Sequence, residues 1–213
     1  MKKKVTLLIL VFLTNIALGQ TRNNDPVVVK GNNLSCMIGV QPSVIVAYKF
    51  NGTSLVQIPV QVDEVVVKEA SAPYNNQGCA FGTISNSNTY DDIAFYADTN
   101  TFTGADTNLL FDSDDELVFM AKDAGTKLNI CPPTPVGCVN DNTCELELRD
   151  PLNNTVLGYV YLFIQNGTLN QAAGVSYVNY NFTYANNYQS TYDVCTGGET
   201  ENSTVTTNRL VAK

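Results

Sequence analysis

Short runs of β-prone residues, separated by turn residues at close intervals, are the feature of this sequence that most limits its fold. No 11-residue window carries the apolar stripe of an amphipathic helix. Asn51-Gly52 separates the runs 43–50 and 53–62, and Asn-Gly between two such runs is the strongest short-range signal for a β-hairpin. The pattern predicts an all-β chain built as an antiparallel β-sandwich-like domain.

The hairpin at Asn51-Gly52 is predicted residue by residue. A two-residue loop with positive φ at both positions places Tyr48 opposite Leu55. Strand alternation assigns one face to Val46, Tyr48, Phe50 and Leu55, and the other face to Ile45, Ala47, Val56 and Ile58. Because both faces carry apolar residues near the base, we expect the base to be covered on both sides and the tip to project into solvent.

The run 155–164 is predicted to be a central strand. Its apolar residues occupy both faces, with Val156, Val160, Leu162 and Ile164 on one and Leu157, Tyr159, Tyr161 and Phe163 on the other. A strand of that kind is covered on both sides. Further strands are predicted at 27–30, 65–67, 116–121, 145–149, 175–184 and 204–211, and a long loop tethered by Cys79 at 70–92.

Residues 1–19 have the pattern of a cleaved signal peptide. Three lysines follow Met1, an apolar run covers 5–13, and Ala17 and Gly19 occupy the −3 and −1 positions for cleavage before Gln20. The apolar run is too short to span ~30 Å of hydrocarbon, which needs about 20 residues, so a membrane anchor is disfavoured. We expect residues 20–213 to form a single β-rich domain that is secreted to the extracellular space, the cell surface or the periplasm.

The mature chain is strongly acidic. Removal of the three leader lysines leaves 9 basic residues against 20 acidic ones, a formal net charge of −11. Such a surface repels nucleic acid and anionic lipid, whereas local acidic clusters attract divalent cations. The charge therefore argues against a nucleic-acid partner, and no second apolar run is long enough to span a membrane after the leader is removed.

Six cysteines follow the leader: Cys36, Cys79, Cys131, Cys138, Cys144 and Cys195. An even number in an exported chain indicates disulfide bonds, which here tether long loops. Zinc is the alternative, but histidine is absent and the cysteine spacing lacks C-x2-C pairs. We expect all six to be oxidised, with a Cys36–Cys79 bond and one bond within Cys131, Cys138 and Cys144.

The absence of histidine removes the Ser-His-Asp and Cys-His arrangements and histidine acid-base catalysis. A glycosidase needs only two carboxylates at a set distance, and candidates for that role are Asp63, Glu64, Asp115 and Glu116. Any acidic protein supplies such pairs, so the composition favours a non-catalytic module over an enzyme.

Residues 91–125 form an acidic segment in which the motif Asp-x-Asn/Asp occurs three times. The candidate metal ligands are Asp98, Asn100, Asp106, Asn108, Asp112 and Asp114. Calcium takes about six to eight hard oxygen ligands, which alternating Asp and Asn supply in a Gly-containing loop. The spacing is not that of an EF-hand, and the alternative is a solvated acidic loop whose side chains make turns. We expect Ca²⁺ with a structural role.

Three stretches carry a resemblance: IPVQVDE at 58–64, FDSDDELVFMAKDAG at 111–125 and LGYVYLF at 157–163. Together they resemble the N-terminal region of large, uncharacterised secreted bacterial proteins of the Bacteroidetes type. The resemblance covers roughly residues 30–210 and carries no functional residues with it. It implies that this chain is the N-terminal part of a larger protein or a shortened relative.

These patterns predict a non-catalytic extracellular module, binding or structural, stabilised by disulfides and calcium. Carbohydrate is the most natural ligand, because exposed tyrosines can stack on sugar rings and several lie close together: Tyr177, Tyr180, Tyr184, Tyr188 and Tyr192. The alternative for these tyrosines is core and cross-strand packing. Two other functions stay open, namely the N-terminal fragment of a secreted polysaccharide-degrading enzyme and a surface adhesion or filament subunit that binds another surface protein.

Overall fold

The computed structural model describes residues 24–69, 92–99, 103–139, 143–181, 204–207 and 211–212. The predicted leader 1–19 lies outside these residues, as do Cys79, Cys195 and most of the predicted loop 70–92. Within them the chain forms strands and short 3₁₀ turns, with no α-helix. The strands are β1 (Pro26–Lys30), β2 (Ile45–Phe50), β3 (Leu55–Ile58), β4 (Gln61–Asp63), β5 (Val65–Glu69), β6 (Asp92–Tyr96), β7 (Glu116–Met120), β8 (Cys144–Arg149), β9 (Val156–Ile164), β10 (Val178–Asn181), β11 (Thr204–Thr207) and β12 (Val211–Ala212).

The strands pair antiparallel in every described sheet, which confirms the all-β class. A four-stranded sheet has the order β3-β2-β9-β8, and a three-stranded sheet has the order β1-β7-β4. Two smaller sheets consist of β5-β6 and of β10-β11-β12. The acidic segment is not wholly a loop, because β6 begins at Asp92 within it.

The main core lies between the four-stranded and three-stranded sheets, as in a β-sandwich. Ile45, Ala47 and Leu162 contribute from one sheet, and Leu117 and Phe119 from the other. The connections add buried side chains that close the ends of this layer: Leu34, Met37 and Phe111. Full burial of each large apolar side chain stabilises the fold by about 1.5–3 kcal/mol, so this layer dominates its stability.

The opposite face of the four-stranded sheet is also covered. Val46, Tyr48, Tyr161 and Phe163 are buried there against Leu128, Cys138 and Leu169 from the connections. The rings of Tyr48 and Phe163 meet edge to face with centroids 5.5 Å apart. Strand β9 is therefore central and covered on both sides as predicted, with the predicted residues on each face, although Val156 and Leu157 at its start are exposed.

The β2–β3 hairpin forms, but its predicted register is wrong by two residues. Tyr48 lies opposite Gln57, and Phe50 opposite Leu55, so the loop has four residues. The Asn51 side chain explains the longer loop, because its Oδ1 accepts hydrogen bonds from the amides of Thr53 and Ser54 at 2.9 Å. A shift of two residues preserves the faces, so the two-sided burial of the base and the exposed tip are confirmed.

One disulfide joins Cys36, in the turn that follows β1, to Cys144 at the start of β8. The two cysteines are separated by 108 residues, and closing a loop of that length stabilises a fold by about 4–5 kcal/mol in the chain-entropy account. The predicted Cys36–Cys79 pairing is therefore wrong. Cys131 and Cys138 are free thiols in the structure, so the predicted bond within Cys131, Cys138 and Cys144 is wrong as well.

Candidate metal centre

Three carboxylates meet at one end of the three-stranded sheet, beside the end of β4 and the start of β7. Glu64 is the single residue between β4 and β5, Asp106 lies between β6 and β7, and Asp115 immediately precedes β7. One carboxylate oxygen from each residue lies within 4.8 Å of one oxygen from each of the other two. We call this group the acidic cluster.

The pairing of β4 with β7 explains why two of these residues meet. Asp63 lies opposite Glu116 at the end of the ladder, so one further step places Glu64 opposite Asp115. Strand alternation also sets their direction, because Glu64 follows Val62 by two residues and Asp115 precedes Leu117 by two. Val62 and Leu117 both pack into the main core, so their neighbours on the same face are directed inward.

Asp115 is fully buried and well partnered. Its Oδ1 accepts a hydrogen bond from the amide of Val65 at 3.0 Å, and its Oδ2 accepts one from the amide of Asp112 at 2.8 Å. Burial raises the pKa of Asp115, and these two hydrogen bonds oppose that rise. The carboxylate is therefore fixed in place at the floor of the acidic cluster.

Glu64 has no such support. Both of its carboxylate oxygens are buried, and neither has a hydrogen-bond partner among the described residues. Burial, and to a smaller extent the negative charges of Asp115, Asp106 and Asp112, raise the pKa of Glu64 to about 7. An unpartnered buried carboxylate is costly, so it takes up a proton or a cation.

Asp106 completes the acidic cluster from the loop side. It is partly exposed, and its Oδ1 accepts a hydrogen bond from the amide of Thr107 at 2.6 Å. This local bond orients the carboxylate within its turn. Among the described residues, Asp106 is the predicted carboxylate ligand that belongs to the acidic cluster.

The other predicted carboxylate ligands that the structure describes are not members of the acidic cluster. Asn108 donates from Nδ2 to Asp112 Oδ2 at 2.7 Å, and the amide of Asp114 donates to Asp112 Oδ1 at 3.2 Å. A side-chain hydrogen bond between Asp112 and Asp114 lowers the pKa of Asp112 and raises that of Asp114. The amide of Asp98 donates to Thr103 Oγ1 at 2.9 Å. Asn100 is outside the described residues.

The four carboxylates considered for catalysis lie at the end of β4 and the start of β7, and they divide between the two faces of the sheet. Glu64 and Asp115 are directed inward, whereas Asp63 and Glu116 alternate with them. Tyr96 donates from its hydroxyl to Glu116 Oε2 at 2.9 Å, and burial raises the pKa of Asp63. The sequence analysis named Glu64 and Asp115 as carboxylates for catalysis, and it did not predict either of them as a metal ligand.

A tight backbone contact supports the segment that carries Asp115. The amide of Gly31 donates to the Asp115 carbonyl at 2.8 Å, and the amide of Asn32 donates to the Ser113 carbonyl at 2.9 Å. A Cβ atom on Gly31 would lie 1.7 Å from the Asp112 carbonyl oxygen. Only glycine permits this approach, so Gly31 helps to position Asp115.

The predicted tyrosine surface is described only at Tyr177. Its hydroxyl donates to Asp123 Oδ2 at 2.6 Å, and Lys122 Nζ lies 4.1 Å from the ring centroid. Tyr177 therefore packs against its own chain. The side chain of Tyr180 and the whole of Tyr184, Tyr188 and Tyr192 lie outside the described part of the chain.

No protein-family model matches the chain, and neither a curated protein nor a solved structure gives a match. Among the described residues, no helix has the length and apolar character needed to cross a membrane.

Proposed function

We propose that the chain is a non-catalytic extracellular module, structural or binding, whose fold is stabilised by a calcium ion bound by Glu64, Asp106 and Asp115. The observation that carries the proposal is the Glu64 carboxylate, whose two oxygens are buried without a hydrogen-bond partner among the described residues, beside a second buried carboxylate. A divalent cation would satisfy both oxygens and offset the repulsion among three negative charges.

The ligand type supports calcium over other metals. Carboxylate oxygens are hard ligands, whereas structural zinc sites use thiolate and imidazole. Calcium accepts mono- or bidentate carboxylates and completes its shell with carbonyl oxygens and water, so three carboxylates are a sufficient protein core for a site. Magnesium needs near-ideal octahedral geometry and keeps several waters, which suits a buried carboxylate such as Asp115 less well.

The burial of the acidic cluster supports a structural role over catalysis. A catalytic carboxyl group must reach the bond that it cleaves or the water that it activates. The Glu64 oxygens have no contact with solvent, and the Asp115 side chain is fully buried and already accepts two backbone hydrogen bonds. This burial supports a structural role for the pair over contact with a substrate.

Export is supported by two independent features. The first 19 residues carry the pattern of a signal peptide, and a disulfide joins residues 108 positions apart. Disulfides persist in oxidising compartments and are rare in the cytosol. Extracellular calcium is also abundant enough to fill sites of millimolar affinity.

Calorimetric titration of the mature chain with CaCl₂ tests the proposal. We expect binding of one ion, and at a calcium concentration of about 100 times Kd we expect a stabilisation of about 2.7 kcal/mol over the chelated protein. Glu64→Gln removes a charged ligand and should abolish the heat of binding. Asp114→Asn is the matched control, because it removes a carboxylate of the same loop from outside the acidic cluster. Absence of a binding heat in the wild-type protein would refute the calcium site.

A further inference from the structure

The β5–β6 ribbon (Val65–Glu69 paired with Asp92–Tyr96) joins the sandwich at the acidic cluster. Glu64 immediately precedes β5, and the chain that leaves β6 passes through Asp106 before it reaches Asp115 and β7. The three carboxylates therefore lie together at the base of the ribbon. Two of them belong to segments that enter or leave the ribbon, and the third is anchored in the sandwich.

The hydrogen bonds at the base involve the same residues. Val65 donates from its amide to Asp115 Oδ1 at 3.0 Å, and Ala97 donates from its amide to the Glu64 carbonyl at 2.8 Å. A movement of the Glu64 backbone away from Asp115 would disturb both bonds, because Val65 is the next residue and the Ala97 amide donates to the Glu64 backbone carbonyl. The position of the Glu64 backbone and the attachment of the ribbon are thus linked.

Among the described residues of the ribbon, the buried apolar side chains lie at its base. Val65 and Val66 are 6% and 7% exposed, whereas Val67 and Ile93, farther along the described ribbon, are 56% and 44% exposed. A two-stranded ribbon is marginally stable by itself in water. Its order therefore depends strongly on what fixes the base.

We infer that cation binding at the acidic cluster controls the order of the β5–β6 ribbon: the ion fixes the base, and its removal lets the ribbon open locally while the sandwich stays folded. The inference rests on the proposed calcium site. Without an ion and with Glu64 ionised, the repulsion at the acidic cluster favours a movement of the Glu64 segment away from Asp115, and β5 moves with that segment. With an ion bound, any opening that separates Glu64 from Asp115 also releases the ion, so opening becomes less favourable by the binding free energy.

Amide hydrogen exchange on the mature chain, with and without calcium, tests this inference. At a calcium concentration of about 100 times Kd, the protection of the Val65 and Ala97 amides and of the β5–β6 ladder should rise about 100-fold, because opening releases the ion. The Asn51 amide, which donates to Ser54 across the hairpin loop, is the internal control and should not change. Asp106→Asn should abolish the rise, and Asp114→Asn should retain it.

Three other outcomes would overturn the inference. If calcium binds with heat but leaves the ribbon amides unchanged, the ribbon opens without releasing the ion. If the ribbon and the Asn51 amide gain the same protection, the ion acts on the whole fold. If calorimetry detects no binding, the proposed calcium site fails and this inference fails with it.

Discussion

The β2–β3 hairpin and the β5–β6 ribbon are both antiparallel strand pairs, yet they are anchored by different forces. The hairpin base is covered by apolar side chains on both faces and continues into the four-stranded sheet through β9. The ribbon base is covered by Val65 and Val66 but borders three carboxylates. Apolar anchoring works under all ionic conditions, whereas anchoring through clustered charges depends on what neutralises them.

The largest expected effect comes from the apolar anchor. Leu162 is fully buried in β9 opposite Ala47 of the hairpin, so Leu162→Ala should leave a cavity and lower the free energy of unfolding by about 2–5 kcal/mol. The loss should be equal in calcium and in chelator, because Leu162 lies outside the acidic cluster. Urea denaturation in both buffers measures it. A loss that appears in only one buffer would contradict the separation between the two anchors.

The same comparison shows which parts of the fold can be read from sequence. Alternation within β9 and the hairpin placed residues on the correct faces, because a period of two is a local property of each strand. The register of the hairpin was wrong because the Asn51 side chain closes a four-residue loop in place of a two-residue turn. Residue types alone do not show whether an Asn side chain will accept hydrogen bonds from nearby backbone amides and so replace one turn with another.

The acidic cluster was harder to predict for a different reason. The Asp-x-Asn/Asp motif drew attention to residues near one another in sequence, but Glu64 and Asp115 meet through the β4–β7 ladder. Nothing local specifies that pairing, and the same holds for the Cys36–Cys144 bond across 108 residues. A useful signal was present nonetheless, because Asp63-Glu64 and Asp115-Glu116 each adjoin a predicted strand and would become neighbours if those strands paired antiparallel.

The second prediction tests how tightly the backbone positions the acidic cluster. Gly31→Ala places a Cβ against the Asp112 carbonyl, so the segment carrying Asp115 must shift. We expect a loss of about 1–3 kcal/mol in stability and a weaker affinity for calcium in calorimetric titration. Asn32→Ala, in the same turn, is the control and should retain the affinity. Unchanged calcium binding in Gly31→Ala would show that Asp115 does not need this contact.

The third prediction separates the charge of Glu64 from its role as a ligand. In chelator at pH 8, Glu64→Gln removes a buried unpartnered charge and should stabilise the protein by on the order of 1 kcal/mol. In saturating calcium the same variant should be less stable than the wild type, because it no longer gains the binding energy. Thermal melts in both buffers check this reversal. A variant that is destabilised in chelator as well would mean that Glu64 makes a favourable contact without an ion.

The last prediction concerns the pH dependence of stability. Burial and the neighbouring carboxylates raise the pKa of Glu64 from 4.5 to about 7, so between these values the folded chain holds a proton that the unfolded chain has lost. The stability that this proton provides is fully present below about pH 4.5 and is lost as the pH rises through about 7, with a slope of at most about 1.4 kcal/mol per pH unit.

Other carboxylates titrate in the same range, so the quantity to measure is the wild-type free energy of unfolding minus that of Glu64→Gln, both in chelator. This difference should fall from pH 4.5 to pH 7 and then level off, whereas the corresponding difference for Asp114→Asn should not follow the same course. A flat difference for Glu64→Gln would show that the buried carboxylate keeps its ordinary pKa. The Glu64 carboxylate would then experience too little repulsion for an ion to be needed at the base of the ribbon.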